Sequence, residues 1–131
     1  MANRRNGRPR LKFAILDTGV NDDDPWLFRA LDDAKQARET QDFSGGDHDT
    51  NPIVAHWPSE EEARDDCGHG TNVAYFLLRF APDADLCIAK VSEGMTRDDY
   101  DKVVDAIDWA VSQDVDIINM SFWYADGRQD N

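Results

Sequence analysis

The sequence has few of the features that mark secreted, membrane-spanning or nucleic-acid-binding proteins. It holds two cysteines, Cys67 and Cys87, in 131 residues, too few to define a disulfide framework, so we expect an intracellular, reduced chain in the cytoplasm. No apolar run approaches the length that spans a membrane. The 14 basic residues are outnumbered by 27 acidic ones, which argues against binding a phosphate backbone. We therefore expect neither a membrane nor a nucleic-acid partner.

The basic residues are concentrated in NRRNGRPR (3–10), at the start of the chain. We interpret residues 1–11 as a basic disordered arm. Because no hydrophobic segment follows this arm, we expect no secretory signal. Residues 12–123 should form the folded part and 124–131 a tail. Within the folded part, the acidic segment 56–66 is expected to be exposed to solvent.

Apolar residues in the folded part occur in two patterns, short continuous runs and helical spacing. Short apolar runs bounded by turn residues predict buried strands at 11–17, 84–91 and 114–122, and a short strand opens the turn-rich segment 42–52. Helical spacing of apolar residues predicts helices at 25–38, 69–80 and 98–111. Because strands alternate with helices, we predict an α/β fold of three layers with a mainly parallel sheet.

Two of the predicted helices carry a distinct apolar face. In the helix at 69–80, the residues that share this face are Val73, Phe76, Leu77 and Phe80. In the helix at 98–111, the residues expected to point inward are Val103, Val104, Ile107 and Val111.

A carboxylate and an imidazole occupy positions that often carry functional residues in α/β folds, a strand end and a helix start. Asp17 ends the first strand, and ligands of parallel sheets meet the carboxyl ends of strands. By itself this carboxylate could orient a histidine, accept a phosphoryl group, bind a metal or cap a turn. His69 opens a helix between two glycines, which suggests that something approaches it closely, although an imidazole there often only bonds backbone. The order Asp then His, at a strand end and a helix start, is that of one Asp-His-Ser triad.

Four segments resemble those of the subtilases, the subtilisin-like serine proteases of peptidase family S8. AILDTGV (14–20) resembles the aspartate motif and GHGTNVA (68–74) the histidine motif. AIDWAVSQDVDIINMS (106–121) resembles the helix and strand that lead into the substrate-binding edge, and APDADLCIAKV (81–91) resembles the strand and its approach that lie between. The resemblance is closest to fungal intracellular members. It implies a partial subtilisin-like fold with strand order 2-3-1-4, in which 12–123 is the N-terminal half of the catalytic domain.

The resemblance also implies a role for each motif. Asp17 would accept a hydrogen bond from His69, fix its tautomer and stabilise the imidazolium. His69 would take the proton of a serine hydroxyl and later give it to the leaving amine. Gly68 and Gly70 would keep the approach of the nucleophile open, and Thr71 would begin the helix behind the histidine.

A peptide or protein substrate would bind beside these residues. By resemblance it would pair as an added strand with Ser121, Phe122 and Trp123, and the loop that begins Ser92, Glu93, Gly94 would form the facing wall. Trp123 stands where the family commonly has glycine, and its indole would either narrow the cleft or point outward.

The nucleophile has no counterpart in the sequence. The serines are Ser44, Ser59, Ser92, Ser112 and Ser121, and none has the Gly-Thr-Ser context of the family's nucleophile. The asparagine of the oxyanion hole is also expected beyond the equivalent of Asn131. Losing both costs roughly 10^6-fold or more in rate. We therefore predict a serine-endopeptidase fragment that supplies Asp and His and is inactive alone.

Other functions compete with this prediction. The chain could be a non-catalytic subtilase-like module kept for binding. Asp17-Thr18-Gly19 also mimics the loop of retroviral-type aspartic proteases, and DGR (126–128) echoes a later motif of theirs. Those proteins are all-β dimers, however, and the helix at 98–111 has no place in them. A phosphoryl acceptor at Asp17 lacks the partner acid or lysine motif.

Two further features have simple interpretations. Asp22, Asp23 and Asp24 could bind calcium, which the family often uses, but the ligand spacing is not evident and a solvated acidic turn is favoured, so we expect no cofactor. Cys67 could confer sensitivity to mercurials, but a spectator thiol is favoured.

The strand at 114–122 would lie at the edge of a sheet with this strand order. An unpaired apolar edge invites pairing with another chain. We therefore predict that the chain is marginally stable alone, or that self-association or a partner covers this edge.

Overall fold

The computed structural model describes residues 4–5, 8–21, 23, 25–33, 39–42, 53–56, 64–92 and 100–121. In chain order the elements are β1 (Arg4–Arg5), β2 (Arg8–Pro9), β3 (Lys12–Asp17), α1 (Pro25–Asp33), β4 (Glu39–Asp42), β5 (Ile53–His56), α2 (His69–Phe80), β6 (Asp85–Lys90), α3 (Tyr100–Ser112) and β7 (Ile117–Asn119). No helix in these ranges is long and apolar enough to cross a membrane.

The main sheet has five strands in the order β5-β4-β6-β3-β7. β3 runs parallel to β6 and to β7, and β4 runs parallel to β6. The order β4-β6-β3-β7 is the predicted 2-3-1-4, so the α/β fold class and its mainly parallel sheet are confirmed. The helices and parallel strands exclude the all-β aspartic-protease alternative.

The central strands β3 and β6 are buried on both faces of the sheet, and their alternate residues point to opposite sides. Ala14 and Leu16 of β3 belong to a core cluster with Val103, Ala106 and Ala110 of α3. Ile15 points the other way, into a cluster with Leu27 of α1 and with Ala74 and Leu78 of α2. Three layers result, with α3 on one side of the sheet and α1 and α2 on the other.

The inward face predicted for the helix at 98–111 is partly wrong, and the apolar face predicted for the helix at 69–80 is only partly buried. Val103 is buried, but the exposed fraction is 56% for Val104 and 64% for Val111, because α3 turns Val103, Ala106 and Ala110 toward the sheet. On α2 the exposed fraction reaches 60% at Phe76 and 88% at Phe80. The residues that α2 buries are Gly70, Ala74 and Leu78. Small residues on these faces pack against the sheet, whereas the apolar period is carried by the large residues.

Two element boundaries also differ from the prediction. β5 was not predicted, since four residues at an edge are too few to show a period; it pairs antiparallel with β4. β7 is shorter than 114–122 because the chain turns after α3. Asp114, with a φ of 55°, donates its N–H to Val111 O at 3.0 Å, and Asp116 N–H donates to Lys12 O at 2.8 Å.

The basic segment before β3 contains paired backbone. β1 and β2 form an antiparallel pair, with Arg4 opposite Pro9 and Arg5 opposite Arg8. The Arg10 guanidinium donates to Asp83 O at 2.7 Å and lies 3.1 Å from the Asp85 carboxylate. The last part of the predicted arm is therefore tied to the start of β6. The predicted tail, 124–131, lies outside the described residues.

Candidate active site

Asp17 and His69, 52 residues apart in sequence, meet at the carboxyl edge of the sheet. His69 Nδ1 lies 2.7 Å from Asp17 Oδ1. The same oxygen accepts the Thr18 backbone N–H at 2.8 Å. Asp17 ends β3 and its side chain is 1% exposed, whereas that of His69, the first residue of α2, is 37% exposed. A carboxylate is therefore fixed inside the fold, beside an imidazole that solvent reaches.

This contact determines how the imidazole can react. An ionised carboxylate only accepts hydrogen bonds, so Nδ1 of a neutral His69 carries the ring hydrogen and donates it to Asp17. The other nitrogen, Nε2, then has a free lone pair and can accept a proton. A buried carboxylate behind an accessible imidazole is the arrangement of a general base held in one tautomer.

The two glycines beside His69 have different structural causes. Gly68 precedes α2 with a φ of 86°, a left-handed conformation that costs other residues energy, and a Cβ there would meet nothing within 4 Å. A Cβ on Gly70 would lie 2.2 Å from Gly19 O and 3.1 Å from Asp17 Cβ. The missing side chain of Gly70 therefore lets α2 touch the strand end, and its role in the nucleophile's approach stays a prediction. The helix begins at His69 itself, not at Thr71.

Asp65 organises the turn before His69 and was not predicted. Its Oδ1 accepts the N–H groups of Cys67 at 3.1 Å and Gly68 at 2.7 Å, and the Thr18 hydroxyl at 2.7 Å. Its Oδ2 accepts the Thr71 N–H at 2.8 Å and the Thr71 hydroxyl. The residue is 3% exposed, so the prediction that 56–66 is exposed is wrong at this position.

The pKa of Asp65 responds to two opposed effects. Burial raises the pKa, but hydrogen bonds from the Thr71 and Thr18 hydroxyls and from the N–H groups of Thr71 and Gly68 lower it by more. The net pKa is below its ordinary value, because all these donors favour the charged form. Asp65 is an ionised group inside the fold.

Lys90, the last residue of β6, fixes the chain just before Asp65. It stands opposite Asp17 in the parallel register of β3 and β6. Its side chain is largely buried, and Nζ donates to Arg64 O at 2.7 Å. The segment that carries Asp65 and leads into His69 is thus held at its start by Lys90.

The predicted substrate-binding residues are only partly within the described chain. Ser92 follows β6 and is half-buried, and Ser121 follows β7, with its Oγ donating to Asn119 Oδ1 at 2.8 Å. Since β6 and β7 flank β3 in a parallel sheet, Ser92, Ser121 and Asp17 lie at one edge. The other predicted residues, Glu93, Gly94, Phe122 and Trp123, lie outside the described residues.

The acidic triplet and the cysteines show no metal centre where the chain is described. Asp23 is exposed and pairs with Arg64 at 3.3 Å, while Asp22 and Asp24 lie outside the described residues. Among the described residues, no three His, Cys, Asp or Glu side chains are grouped to hold a metal ion. Cys67 and Cys87 are both free, the first exposed and the second buried.

Comparisons with known proteins agree on one family. The model described as "Subtilase family" matches residues 10–129. "Subtilisin-like protease het-Q2" of Podospora anserina is 31% identical over 88% of the chain, and "Intracellular serine protease" of Paenibacillus polymyxa is 34% identical over 91%. "Major intracellular serine protease" of Bacillus subtilis is 32% identical over 85%. No solved structure matches the chain.

The chain spans about a third of the length of each of these relatives. The aligned share is 38% of the Podospora protein, 34% of the Paenibacillus protein and 33% of the Bacillus protein.

Proposed function

This chain belongs to the subtilase family, and on that premise we propose that it supplies the aspartate and histidine of a serine endopeptidase. The observation that carries the proposal is the 2.7 Å contact between His69 Nδ1 and the buried Asp17 carboxylate. Orienting a histidine was one of four roles open to Asp17, and this contact favours it over the other three.

In the proposed reaction, His69 moves a proton in two steps. Its Nε2 first takes the hydroxyl proton of the serine as the serine oxygen bonds to the peptide carbonyl carbon. The imidazolium then gives that proton to the amine that leaves as the C–N bond breaks. Between these two steps His69 is positively charged, and the Asp17 carboxylate stabilises that charge. The burial of Asp17 strengthens this interaction because little water screens it. Water later repeats the sequence and releases the acyl group.

We propose that these 131 residues do not hydrolyse peptides by themselves. Two of the serines donate their hydroxyl hydrogens to groups other than His69, since Ser112 Oγ donates to Trp109 O and Ser121 Oγ donates to Asn119 Oδ1. No serine in the sequence follows Gly-Thr. Without a nucleophile and an oxyanion donor, the rate falls by roughly 10^6-fold or more.

The proposed substrate is an extended peptide or protein segment. It would pair along the chain at Ser121, Phe122 and Trp123, opposite the wall that begins at Ser92, Glu93 and Gly94. The position of Ser92 and Ser121 at the edge that carries Asp17 supports this proposal, because a bound strand there would pass the imidazole.

We propose a cytoplasmic location. Two of the relatives carry "intracellular" in their names. The free thiols of Cys67 and Cys87 suit a reducing compartment.

Complementation with the missing nucleophile tests the proposed function. The chain is joined to a subtilase segment that carries Gly-Thr-Ser and is then exposed to a fluorophosphonate probe, which labels only an activated serine. We expect labelling of that serine and its loss in His69→Ala. The matched control is Asn72→Ala, an exposed change three residues further along α2.

Two results would contradict the proposal. One is a correctly folded assembly that the probe does not label, which would favour a non-catalytic binding module. The other is equal labelling with and without His69.

A further inference from the structure

Asp65 lies between the strand end that carries Asp17 and the helix start that carries His69, and it bonds to both. It accepts the hydroxyl hydrogen of Thr18, the residue after Asp17, and that of Thr71, in the first turn of α2. A carboxylate has no hydrogen to donate, so both hydroxyls must donate to it and keep only their lone pairs for other partners.

Through those lone pairs, each threonine accepts a backbone N–H from the other side of the contact between β3 and α2. Thr18 Oγ1, on the strand side, accepts the N–H of Gly70 on the helix at 3.0 Å. Thr71 Oγ1, on the helix side, accepts the N–H of Asn21 on the strand side at 2.9 Å. Each threonine therefore holds the backbone of the opposite element. Asp65 fixes the direction in which both hydroxyl hydrogens point.

The direction of the Thr18 hydroxyl matters for His69. A second acceptor, Asp17 Oδ1, lies 3.4 Å from Thr18 Oγ1, against 2.7 Å for Asp65 Oδ1. The nearer and better placed carboxylate takes the hydrogen. If Asp65 could not accept it, the Thr18 hydroxyl would turn to Asp17 Oδ1, the oxygen that binds His69 Nδ1, and the two donors would compete.

We propose that Asp65 is a positioning residue that reserves Asp17 Oδ1 for His69. It does so by drawing away the Thr18 hydroxyl hydrogen and by fastening the start of α2 to the end of β3 through Thr18 and Thr71. The inference deepens the proposed function and rests on it for the role of His69 as a base. The geometric part concerns the described residues alone.

NMR of the 131-residue chain tests the proposal without any catalytic activity. The reporters are the His69 Nδ1 proton resonance, the ring nitrogen shifts that report its tautomer, and the exchange rates of the Gly70 and Asn21 amides. These amides touch Asp65 only through the threonine hydroxyls. In Asp65→Asn we expect the Nδ1 proton to move upfield and the tautomers to mix. Both amides should exchange about tenfold to a hundredfold faster, because the threonine hydroxyls that bind them lose their hydrogen bonds to a charged group.

The matched control is Asp66→Asn, which removes the same charge one residue away. The Asp66 side chain is 70% exposed and its partner is Arg64 at 3.6 Å, so all reporters should keep their wild-type values. Amides of Ile15 and Ile88 in the central strands should exchange alike in all variants. If Asp65→Asn keeps the wild-type Nδ1 resonance and tautomer, the proposal is wrong.

A second pair of variants decides the matter if Asp65→Asn does not fold. Thr71→Val removes one hydroxyl at nearly constant volume, and Thr71→Ser keeps it. We expect faster exchange at Asn21 and a weaker Nδ1 resonance in Thr71→Val, with both restored in Thr71→Ser. Equal behaviour of the two variants would overturn the proposal. If the reporters respond as expected but the complemented protein is not labelled, the proposed function fails and the positioning role stands.

Discussion

Gly70 in α2 lies against Gly19 in the turn after β3, so closely that a Cβ on Gly70 would be 2.2 Å from the Gly19 carbonyl oxygen. The obstacle is backbone, which cannot swing aside as a side chain can. We predict that Gly70→Ala forces α2 away from β3, lowers the free energy of unfolding by about 1–3 kcal/mol or more, and weakens the His69–Asp17 contact. Urea denaturation measures the first effect and the His69 Nδ1 proton resonance the second.

Gly68→Ala is the matched control for that change. The only source of strain in this variant is the backbone φ of 86°, because nothing lies within 4 Å of the added carbon. We expect it to cost about 1–2 kcal/mol and to leave the Nδ1 resonance in place. A Gly70→Ala variant with the stability and the Nδ1 resonance of wild type would contradict the close approach of α2 to Gly19.

Replacing Asp17 by asparagine should separate catalysis from binding in the complemented protein. The asparagine keeps the shape of the side chain, but its neutral amide does not stabilise the imidazolium charge. Because the amide can also donate a hydrogen bond, it does not fix Nδ1 as the donor. If Asp17 has the proposed role, we predict that Asp17→Asn lowers kcat by about 10^4-fold, the size of the effect measured in a serine-protease Asp-His-Ser triad, with little change in KM. Steady-state kinetics on a peptide substrate measures both, and Asp23→Asn, an exposed change of the same charge, should match wild type. A kcat within tenfold of wild type would contradict the role of Asp17.

Asp65 should make the stability of the chain depend on pH in the acid range. Its pKa in the folded state is below the ordinary value of 3.8. Between those two values the unfolded chain binds a proton that the folded chain does not, so stability rises with pH there. We predict that the contribution of Asp65 is fully present above pH 3.8 and is lost as the pH falls through the lower folded-state pKa.

The measurement is the free energy of unfolding against pH for the wild type and for Asp65→Asn. The difference between the two curves should be constant at neutral pH and shrink in acid. A difference that grows as the pH falls would mean that the sign of the pKa shift is wrong.

The edge strand β7 should mediate association. Among the described strands it pairs only with β3, and it leaves Ile117 43% and Met120 46% exposed beside its free edge. We predict a concentration-dependent dimer in sedimentation velocity, which Ile117→Lys weakens by placing charge on that edge. Val111→Lys, at a 64% exposed position on α3, is the matched control and should associate like wild type. A tight monomer whose residues 114–122 resist hydrogen exchange would contradict this prediction.

The sequence was informative where neighbouring residues carry the signal. A short apolar run ending in Asp17 and a glycine-flanked His69 opening a helix are both local patterns. The rule that parallel strands end at one edge of a sheet brings them together. The strand order followed from resemblance, and the paired registers of β3 with β6 and β7 agree with it.

The burial and hydrogen bonding of Asp65 could not be predicted from the residues next to it in sequence. Asp65 and Asp66 are adjacent and chemically identical, yet one is 3% exposed and the other has 70% of its side chain exposed. Which of them turns inward is decided by where Thr18 lies after β3, 47 residues earlier in the chain. Only the assembled fold specifies that distance. The buried faces of α2 and α3 differ from the predicted ones for a similar reason, since small residues such as Ala74 and Ala106 are buried only because the sheet lies close to them.

The bond from Lys90 Nζ to Arg64 O has a consequence for how this fold can vary. It fixes the chain one residue before Asp65, so the geometry of the Asp17–His69 pair is set from Arg64 onward. We therefore expect the Asp17–His69 contact to tolerate insertions or deletions upstream of Arg64, because this hydrogen bond holds the chain at the point where they end. The edge that carries Asp17 and His69 and the segment before Arg64 would then vary independently. Length changes between β5 and Arg64 should leave the His69 Nδ1 proton resonance unchanged.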